Sequence, residues 1–321
     1  DKRILEHIGF TISEGERIGL IGPNGEGKTT LLKLMSGALA PDEGKVLKKS
    51  GLKIGYLEQN GGLESARTVY EEMQTVFSDV QRAMDAQREI AAQMTAEEEG
   101  SDAFRALSAR YEQLDRRIAA QDGYHADVRI RTVLNGMGFG DMYGQKISDM
   151  SGGEKTRLKL CRLLLEQPDI LFLDEPTNHL DVSTLFWLES YLKNYRGALF
   201  TVSHDRYFLD ATVGKILELE NCRVRAFRGN YSKYKVLKAE QYEHDLREYE
   251  KQQEEIAALE DYVARNIVRA TTARSAQSRV KKLENMERLE KPLPPPQPPV
   301  FAFETTEKSE ERTLSVEGLG L

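Results

Sequence analysis

Short apolar runs alternate with glycine turns over residues 1–70, the pattern of strands and helices in an α/β layer. Ile18–Ile21 enters a glycine-rich loop, and the apolar, helix-like run Leu31–Met35 follows it. Between 72 and 121 there is no proline and one glycine, Gly100, while Val76, Val80, Met84, Leu107, Tyr111, Leu114 and Ile118 recur at helical spacing. The polar interruption Glu97-Glu98-Glu99-Gly100-Ser101-Asp102 predicts the tip of a helical hairpin. From about 128 to 231 the α/β pattern returns, with strands expected at Ile170–Leu173 and Leu199–Val202 and a hairpin from Lys215 to Phe227. Residues 232–291 lack proline and glycine and read as two long, charged helices broken near Thr271-Thr272. Pro292–Pro299 cannot be helical, because each proline removes a donor and pushes the residue before it out of the helical region.

The domains expected are therefore 1–231, with the hairpin inserted at about 72–121; a two-helix linker at 232–291; an extended spacer at 292–300; and the beginning of a further domain at 301–321. The chain opens at Asp1 without a methionine and closes on the strand-like run Leu314-Ser-Val-Glu-Gly-Leu, so a segment of a longer polypeptide is expected. In 321 residues, 30% are charged and no run approaches the ~20 apolar residues of a membrane span. No membrane insertion is expected. Two cysteines, Cys161 in an apolar run and Cys222, argue against a disulfide framework and fit a reducing, cytoplasmic setting. At a net charge of −7 any nucleic-acid contact must be local.

The strongest chemical signal is Gly22-Pro-Asn-Gly-Glu-Gly-Lys-Thr-Thr30, which fits G-x-x-x-x-G-K-[ST] between a strand and a helix. Gly22, Gly25 and Gly27 let the backbone curl so that its N–H groups, with Asn24 and Thr30 beside them, face phosphate oxygens at a helix N-terminus. Lys28 is expected on the β- and γ-phosphates and the Thr29 hydroxyl on Mg²⁺. Ile170-Leu-Phe-Leu-Asp174-Glu175 is a buried strand ending in two carboxylates. Alone, such an ending is more often surface charge. Beside a phosphate loop, Asp174 fits a holder of Mg²⁺ and Glu175 the residue that polarises the attacking water.

Ser151-Gly152-Gly153-Glu154 before Lys155-Thr-Arg-Leu-Lys-Leu resembles the signature motif of ABC ATPases. The order of motifs is also similar: Gln59 as the Q-loop, the signature, Asp174-Glu175, His179-Leu180-Asp181 as the D-loop, and His204 as the switch histidine. The resemblance implies an ABC cassette of the P-loop NTPase class. Its parts would be a mostly parallel sheet flanked by helices, an antiparallel β subdomain and a helical subdomain. It also implies binding and hydrolysis of ATP with Mg²⁺, held by Thr29, Gln59 and Asp174, and a signature that serves the ATP of an opposite cassette. Ninety-two positions separate Gln59 from Ser151, because the hairpin is inserted there. With Asp174-Glu-Pro-Thr-Asn-His-Leu-Asp181, Glu154, and Arg228-Gly-Asn-Tyr-Ser-Lys-Tyr leading into the linker, the chain resembles the ABC-F proteins, two cassettes on one chain that act on the ribosome. Three features depart from the pattern. Glu26 sits in the phosphate loop where a small residue is usual, Met150 replaces leucine, and the adenine-stacking aromatic would precede Asp1.

Within Ala264–Lys282 the six basic residues Arg265, Arg269, Arg274, Arg279, Lys281 and Lys282 meet no acid, between acidic flanks. A charge run is usually a solvated face, but a bare basic bend on a two-helix lever suits phosphate backbone. The ABC-F resemblance implies that this tip reaches toward the P-site tRNA on the ribosome, in a housekeeping or an antibiotic-protection role, with the short tip favouring the former. The hairpin, with ten acids against six bases in 74–122, suits a protein contact or a stiff coiled coil better than phosphate. Two rivals share the nucleotide motifs. One is the ATP-binding subunit of an ABC membrane transporter, disfavoured by the hairpin and basic linker. The other is a chromosome-associated coiled-coil ATPase, whose insertions would be far longer. An isolated piece of this kind is expected to bind Mg-ATP, turn it over weakly, and pair head to tail if its own signature substitutes for the missing one.

Overall fold

A computed structural model of the chain describes residues 4–59, 62–120, 122–266, 273–292 and 294. Two compact units are present, Asp1–Leu237 and Lys238–Leu321, and each is described by itself. The first is built on one six-stranded sheet. Its strands are β1 (Arg17–Ile21), β2 (Ile54–Leu57), β3 (Ile170–Asp174), β4 (Ala198–Val202), β5 (Lys215–Glu220) and β6 (Arg223–Arg228), in the order β2-β3-β4-β1-β5-β6. Every pairing is parallel except β5 with β6.

The unbroken apolar runs of β3 and β4 follow from burial on both faces. On β3, Leu171 and Leu173 join one core while Phe172 joins the other; on β4, Leu199 faces the first and Phe200 the second. The smaller core also takes Leu31, Leu32 and Met35 from α1 (Lys28–Ser36), with Phe200 edge-on to Phe172 at 5.9 Å. The larger core lies among the helices inserted between β2 and β3: α2 (Val69–Gln74), α3 (Ser78–Met94), α4 (Asp102–Ala120), α5 (Ala126–Gly136) and α6 (Gly152–Glu166). α7 (Val182–Lys193) and α8 (Arg206–Thr212) complete the layers, and α9 (Tyr231–Asn266) begins in this unit, where the Tyr234 hydroxyl donates to Glu218 at 2.6 Å. Cys161 is fully buried in α6, and burial pushes its thiol pKa up.

The inserted hairpin forms where the periodicity placed it. Val80 and Ile118 are buried between α3 and α4, and the polar interruption at 95–101 is the turn. The expected antiparallel part is reduced, among the described residues, to the β5–β6 edge and one bridge between Thr68 and Lys146. Residues 45–53 form no ladder, and Val46 and Leu47 stay exposed. Two adjacent apolar residues followed by Lys48-Lys49-Ser50-Gly51 lack the period of two that would bury one face of a strand.

In the second unit α9 continues to Asn266, and α10 (Ala273–Glu284) returns against it, burying Ile256 and Ala276. The second linker helix ends at Glu284, well short of the expected 291. Acids at 284, 287 and 290 oppose the negative end of a helix dipole. Gln252 of α9 instead donates to Glu287 O and accepts from Leu289 N, each at 2.8 Å. The break at 267–272, the spacer beyond 294 and the expected strand at 314–319 lie outside the described residues.

Gly136, the last residue of α5, lies flat against the Trp187 indole of α7, and a Cβ there would fall inside the ring. Alanine normally gains about 1 kcal/mol over glycine in a helix, but overpacking costs about 1–3 kcal/mol. Gly136→Ala should therefore destabilise the chain in urea unfolding, with a change in the emission of the single tryptophan.

Candidate functional site

β1 delivers the chain to the phosphate loop and α1 carries it away. Gly25 (φ 83°) and Gly27 (φ 100°) take left-handed backbone conformations. A Cβ on Gly27 would press on Ile4 at 2.5 Å, so a side chain there is excluded twice over. Lys28 is 9% exposed and its Nζ donates to the loop's own carbonyls, Gly22 O at 2.7 Å and Pro23 O at 2.9 Å, with Asn24 Oδ1 at 3.5 Å. Burial lowers its pKa, against the opposing pull of Glu175, Asp174 and Glu26. The unusual Glu26 thus helps keep the lysine charged. Thr30 follows in the first turn of α1.

β3 runs parallel to β4 and brings Asp174 to the start of α1, where its carboxylate accepts from the Thr29 hydroxyl at 2.8 Å. Asp174 is 2% exposed, and burial raises its pKa, offset by Thr29, Lys28 and Lys33 and reinforced by Glu58. Glu175 turns the chain with a left-handed φ of 53°, rare for a residue with a Cβ. Its backbone N–H bonds Val202 O at 2.9 Å. Its carboxylate accepts from the His204 backbone N–H at 3.3 Å and lies 3.6 Å from His204 Nε2. Burial again raises the pKa, with His204 opposing and Asp174 adding to it. Lys28, Thr29, Asp174, Glu175 and His204 are thereby one cluster. In β2, Leu57 pairs with Leu173, so the turn after β2 that carries Glu58 and Gln59 leaves the sheet level with Asp174 and Glu175.

The signature is built separately. Ser151 caps α6 in a reciprocal box: its N–H donates to Glu154 Oε2 at 2.8 Å, and its hydroxyl accepts from Glu154 N at 3.4 Å. Hydrogen bonds from Ser151 hold the Glu154 carboxyl below its ordinary pKa. Ser151 and Gly152 are exposed. Gly153 is shielded by the His179 ring, which a Cβ on the glycine would meet at 3.2 Å. Among the described residues no hydrogen bond or ion pair joins Ser151, Gly152, Gly153 or Glu154 to the Lys28 cluster. Asp181 caps α7, accepting from Thr184 N at 2.8 Å and Ser183 Oγ at 2.6 Å, which hold its pKa down to about 2.

Two neighbours of the cluster escaped the sequence reading. Tyr56 of β2 has a buried hydroxyl with no hydrogen-bond partner among the described residues, and burial, Asp174 and Glu58 push its pKa up to about 12. Tyr56 and Glu58 stand in no motif of the sequence, and no local pattern marks either. A concavity of about 2950 Å³ opens elsewhere, along 4–14 and 39–54, and Thr30 is the part of the expected site that lines it. The chemistry sits at the strand ends instead.

In the second unit Arg265 pairs with Asp261 at 2.8 Å, Lys282 with Glu255 at 2.6 Å, and Arg279 stacks on Tyr262 at 3.3 Å. The basic stretch is thus partly neutralised within the hairpin of α9 and α10. Arg274 and Lys281 are exposed, and Arg269 lies outside the described residues.

The donor set fits a nucleotide with Mg²⁺. A loop of glycine N–H groups, a buried lysine and a Thr–Asp oxygen pair suit a hard cation that takes few protein ligands and completes its shell with phosphate and water. Among the described residues there is no cluster of three or more His, Cys, Asp or Glu, the kind that would hold a metal by itself. The ABC transporter family model matches residues 5–178, and a second model of the same description matches 217–303. The chain is 43% identical over 317 residues to YdiF of Bacillus subtilis (strain 168), covering 98% of this chain and 49% of that protein. It is 38% identical over 265 residues to the energy-dependent translational throttle protein EttA of Haemophilus influenzae, covering 83% and 47%. To the ABC transporter F family member 5 of Arabidopsis thaliana it is 36% identical over 277 residues, covering 84% and 40%.

The chain belongs to the ABC transporter family, in its ABC-F branch.

It spans about half the length of these relatives. The fold of this ABC-F chain is also that of an ATP-binding subunit of an ABC transporter, with TM-score 0.50 at 18% identity over 70% of this chain and 83% of that one. A complex of archaeal ribosomal stalk protein aP1 with the ribosome recycling factor aABCE1 gives TM-score 0.50 at 24% identity over 71% and 37%. It is an ATP-binding ABC cassette, and among its described residues no helix is long and apolar enough to cross a membrane.

Burial holds both carboxylate pKa values above their unfolded values, so each favours the folded state only while protonated. That contribution fades as pH rises from the unfolded carboxylate pKa through the raised folded one, and at neutral pH both charges destabilise the fold. Asp174→Asn and Glu175→Gln should each raise the melting temperature of the nucleotide-free chain at pH 7, with the advantage shrinking toward pH 4. Thermal unfolding at the two pH values checks this.

Proposed function

We propose that this chain is the first cassette and linker of an ABC-F protein that couples ATP-driven closure to a ribosome–tRNA complex, as a hydrolase of ATP to ADP and phosphate. The observation that carries the reading is the separation of two half-sites. The Lys28–Asp174–Glu175 cluster can hold a nucleotide, while the signature at Ser151 is capped, exposed and not bonded to it. A half-site of each kind is what one member of a head-to-tail pair presents, and relatives of twice the length supply room for a second cassette.

In this reading Thr29, Asp174 and Gln59 would hold Mg²⁺, which would supply charge neutralisation for the phosphates. Lys28 leaves the loop carbonyls, which are weaker acceptors than phosphate oxygens. Glu175, with its raised pKa and a carboxylate oxygen that has no hydrogen-bond partner among the described residues, takes the proton of the attacking water. His204 orients the carboxylate and meets the γ-phosphate. Asp181 keeps the loop between the two half-sites in place. The linker carries the motion to its tip, where Arg269, Arg274 and Lys281 would meet RNA phosphate. Arg265 and Lys282 are in exposed pairs that cost little to exchange for phosphate. Arg279 is more committed to Tyr262. The names of the EttA and recycling-factor relatives point the same way, and the site of action would be the cytoplasm.

Turnover by the paired cassettes should decline as pH falls through a pKa above the ordinary glutamate range, since the base must be ionised. Glu175→Gln should cost about 10²-fold or more in rate with ATP binding retained. In the two-cassette parent carrying glutamate-to-glutamine changes in both cassettes, ribosomes should co-sediment with the protein in ATP. Changing Arg265, Arg269, Arg274 and Arg279 to Glu should abolish this. No co-sedimentation from either protein would overturn the ribosomal reading and leave the ATP-binding subunit of a transporter as the better one.

A further inference from the structure

The chain that leaves Gln59 is fastened to the signature at both ends. Leu63 N donates to Lys155 O at 3.3 Å and Glu64 pairs with Lys155 Nζ at 3.7 Å, both on the first turn of α6. Ile147 N then donates to Arg67 O at 3.1 Å, Val69 N to Gln145 O at 3.0 Å and Tyr70 N to Tyr143 O at 3.1 Å, so the same segment zips along the loop that leads into Ser151. Inside this joint lies a charge. Glu72 of α2 is 3% exposed. Its carboxylate accepts from Ser65 Oγ at 2.7 Å, Arg67 Nη1 at 3.2 Å and Arg162 Nη1 at 2.7 Å. Arg162 belongs to α6 and also donates to Glu166 at 2.9 Å. One turn beyond α2, α3 starts the inserted hairpin.

One buried carboxylate therefore joins three parts of the molecule: the segment after Gln59, the root of the hairpin and the signature helix. An exposed ion pair would transmit little. Glu72 differs, because losing one partner leaves a desolvated charge, a penalty larger than that of moving its partners together. Displacement of 63–67 is thus carried to Arg162 and the helix it stands on.

We propose that Glu72 and Arg162 are positioning residues that tie the response of Gln59 to its own nucleotide to the placement of Ser151–Glu154, with the hairpin root moving as part of the same body. This rests on the nucleotide reading above. It assigns a role to two residues outside every nucleotide motif.

Amide hydrogen exchange of the 321-residue chain with and without Mg-ATP tests it. In the unmodified chain, Mg-ATP should slow exchange at 22–30 and also change it at 147–156. In Glu72→Gln and in Arg162→Met the first effect should persist, while the second shrinks by roughly threefold or more. Arg162→Met leaves Glu72 with Ser65 and Arg67, so it tests the link even if Glu72→Gln does not fold. Nucleotide-free exchange at 147–156 should match the unmodified chain. If it rises in both variants, the pair merely holds the fold and the proposal is overturned. An undiminished ATP effect at 147–156 in Arg162→Met overturns it as well. Absence of protection at 22–30 in the unmodified chain would instead remove the nucleotide reading and this proposal with it.

Discussion

The bond between Thr29 and Asp174 joins two segments 145 residues apart, and it forms only because β3 and α1 converge at one end of the sheet. Everything chemical in the chain is organised around that end. Burial raises the pKa of both carboxylates, and Asp174 raises that of Glu175 further, an arrangement that a fold optimised for stability alone would avoid. Lys28, the Thr29 hydroxyl and His204 are the groups that make it tolerable, and they are also groups that an anionic substrate with a divalent cation would use.

A second constraint acts on the helical insertion. Between β2 and β3 the chain leaves the sheet, builds the larger core, and returns with the signature on an exposed helix end. Such a detour could flex within itself. The zipper from 63 to 70 and the buried Glu72 bind its parts to one another: the root of the hairpin, the loop before Ser151 and α6. Trp187 on Gly136 locks α5 to α7 by shape.

Much of this was legible in sequence because the signals are local. A glycine loop between a strand and a helix, carboxylates closing an apolar strand, and a serine three residues before a glutamate each encode their own geometry. The hairpin was legible for the same reason, a helical period interrupted by six polar residues. Tyr56, Glu58 and Glu72 were not. Nothing near them in sequence marks them, and their importance comes from neighbours about 90 to 118 residues away in the chain, namely Arg162 for Glu72 and Asp174 for Tyr56 and Glu58. The basic stretch of the linker was legible as charge but not as pairing between helices: Asp261 meets Arg265 within α9, whereas Glu255 and Tyr262 meet Lys282 and Arg279 only once α10 folds back on α9.

By itself the sequence determined the elements, the phosphate loop, the signature run before its helix and the two carboxylates, because hydrogen bonding and periodicity within a few residues specify them. Only the tertiary structure decided which distant groups share a pKa, which cations are neutralised, where the second linker helix stops, and that one glutamate holds the signature helix to the root of the hairpin. Those outcomes depend on burial and on contacts across the sheet and between helices, and neither exists until the chain has packed.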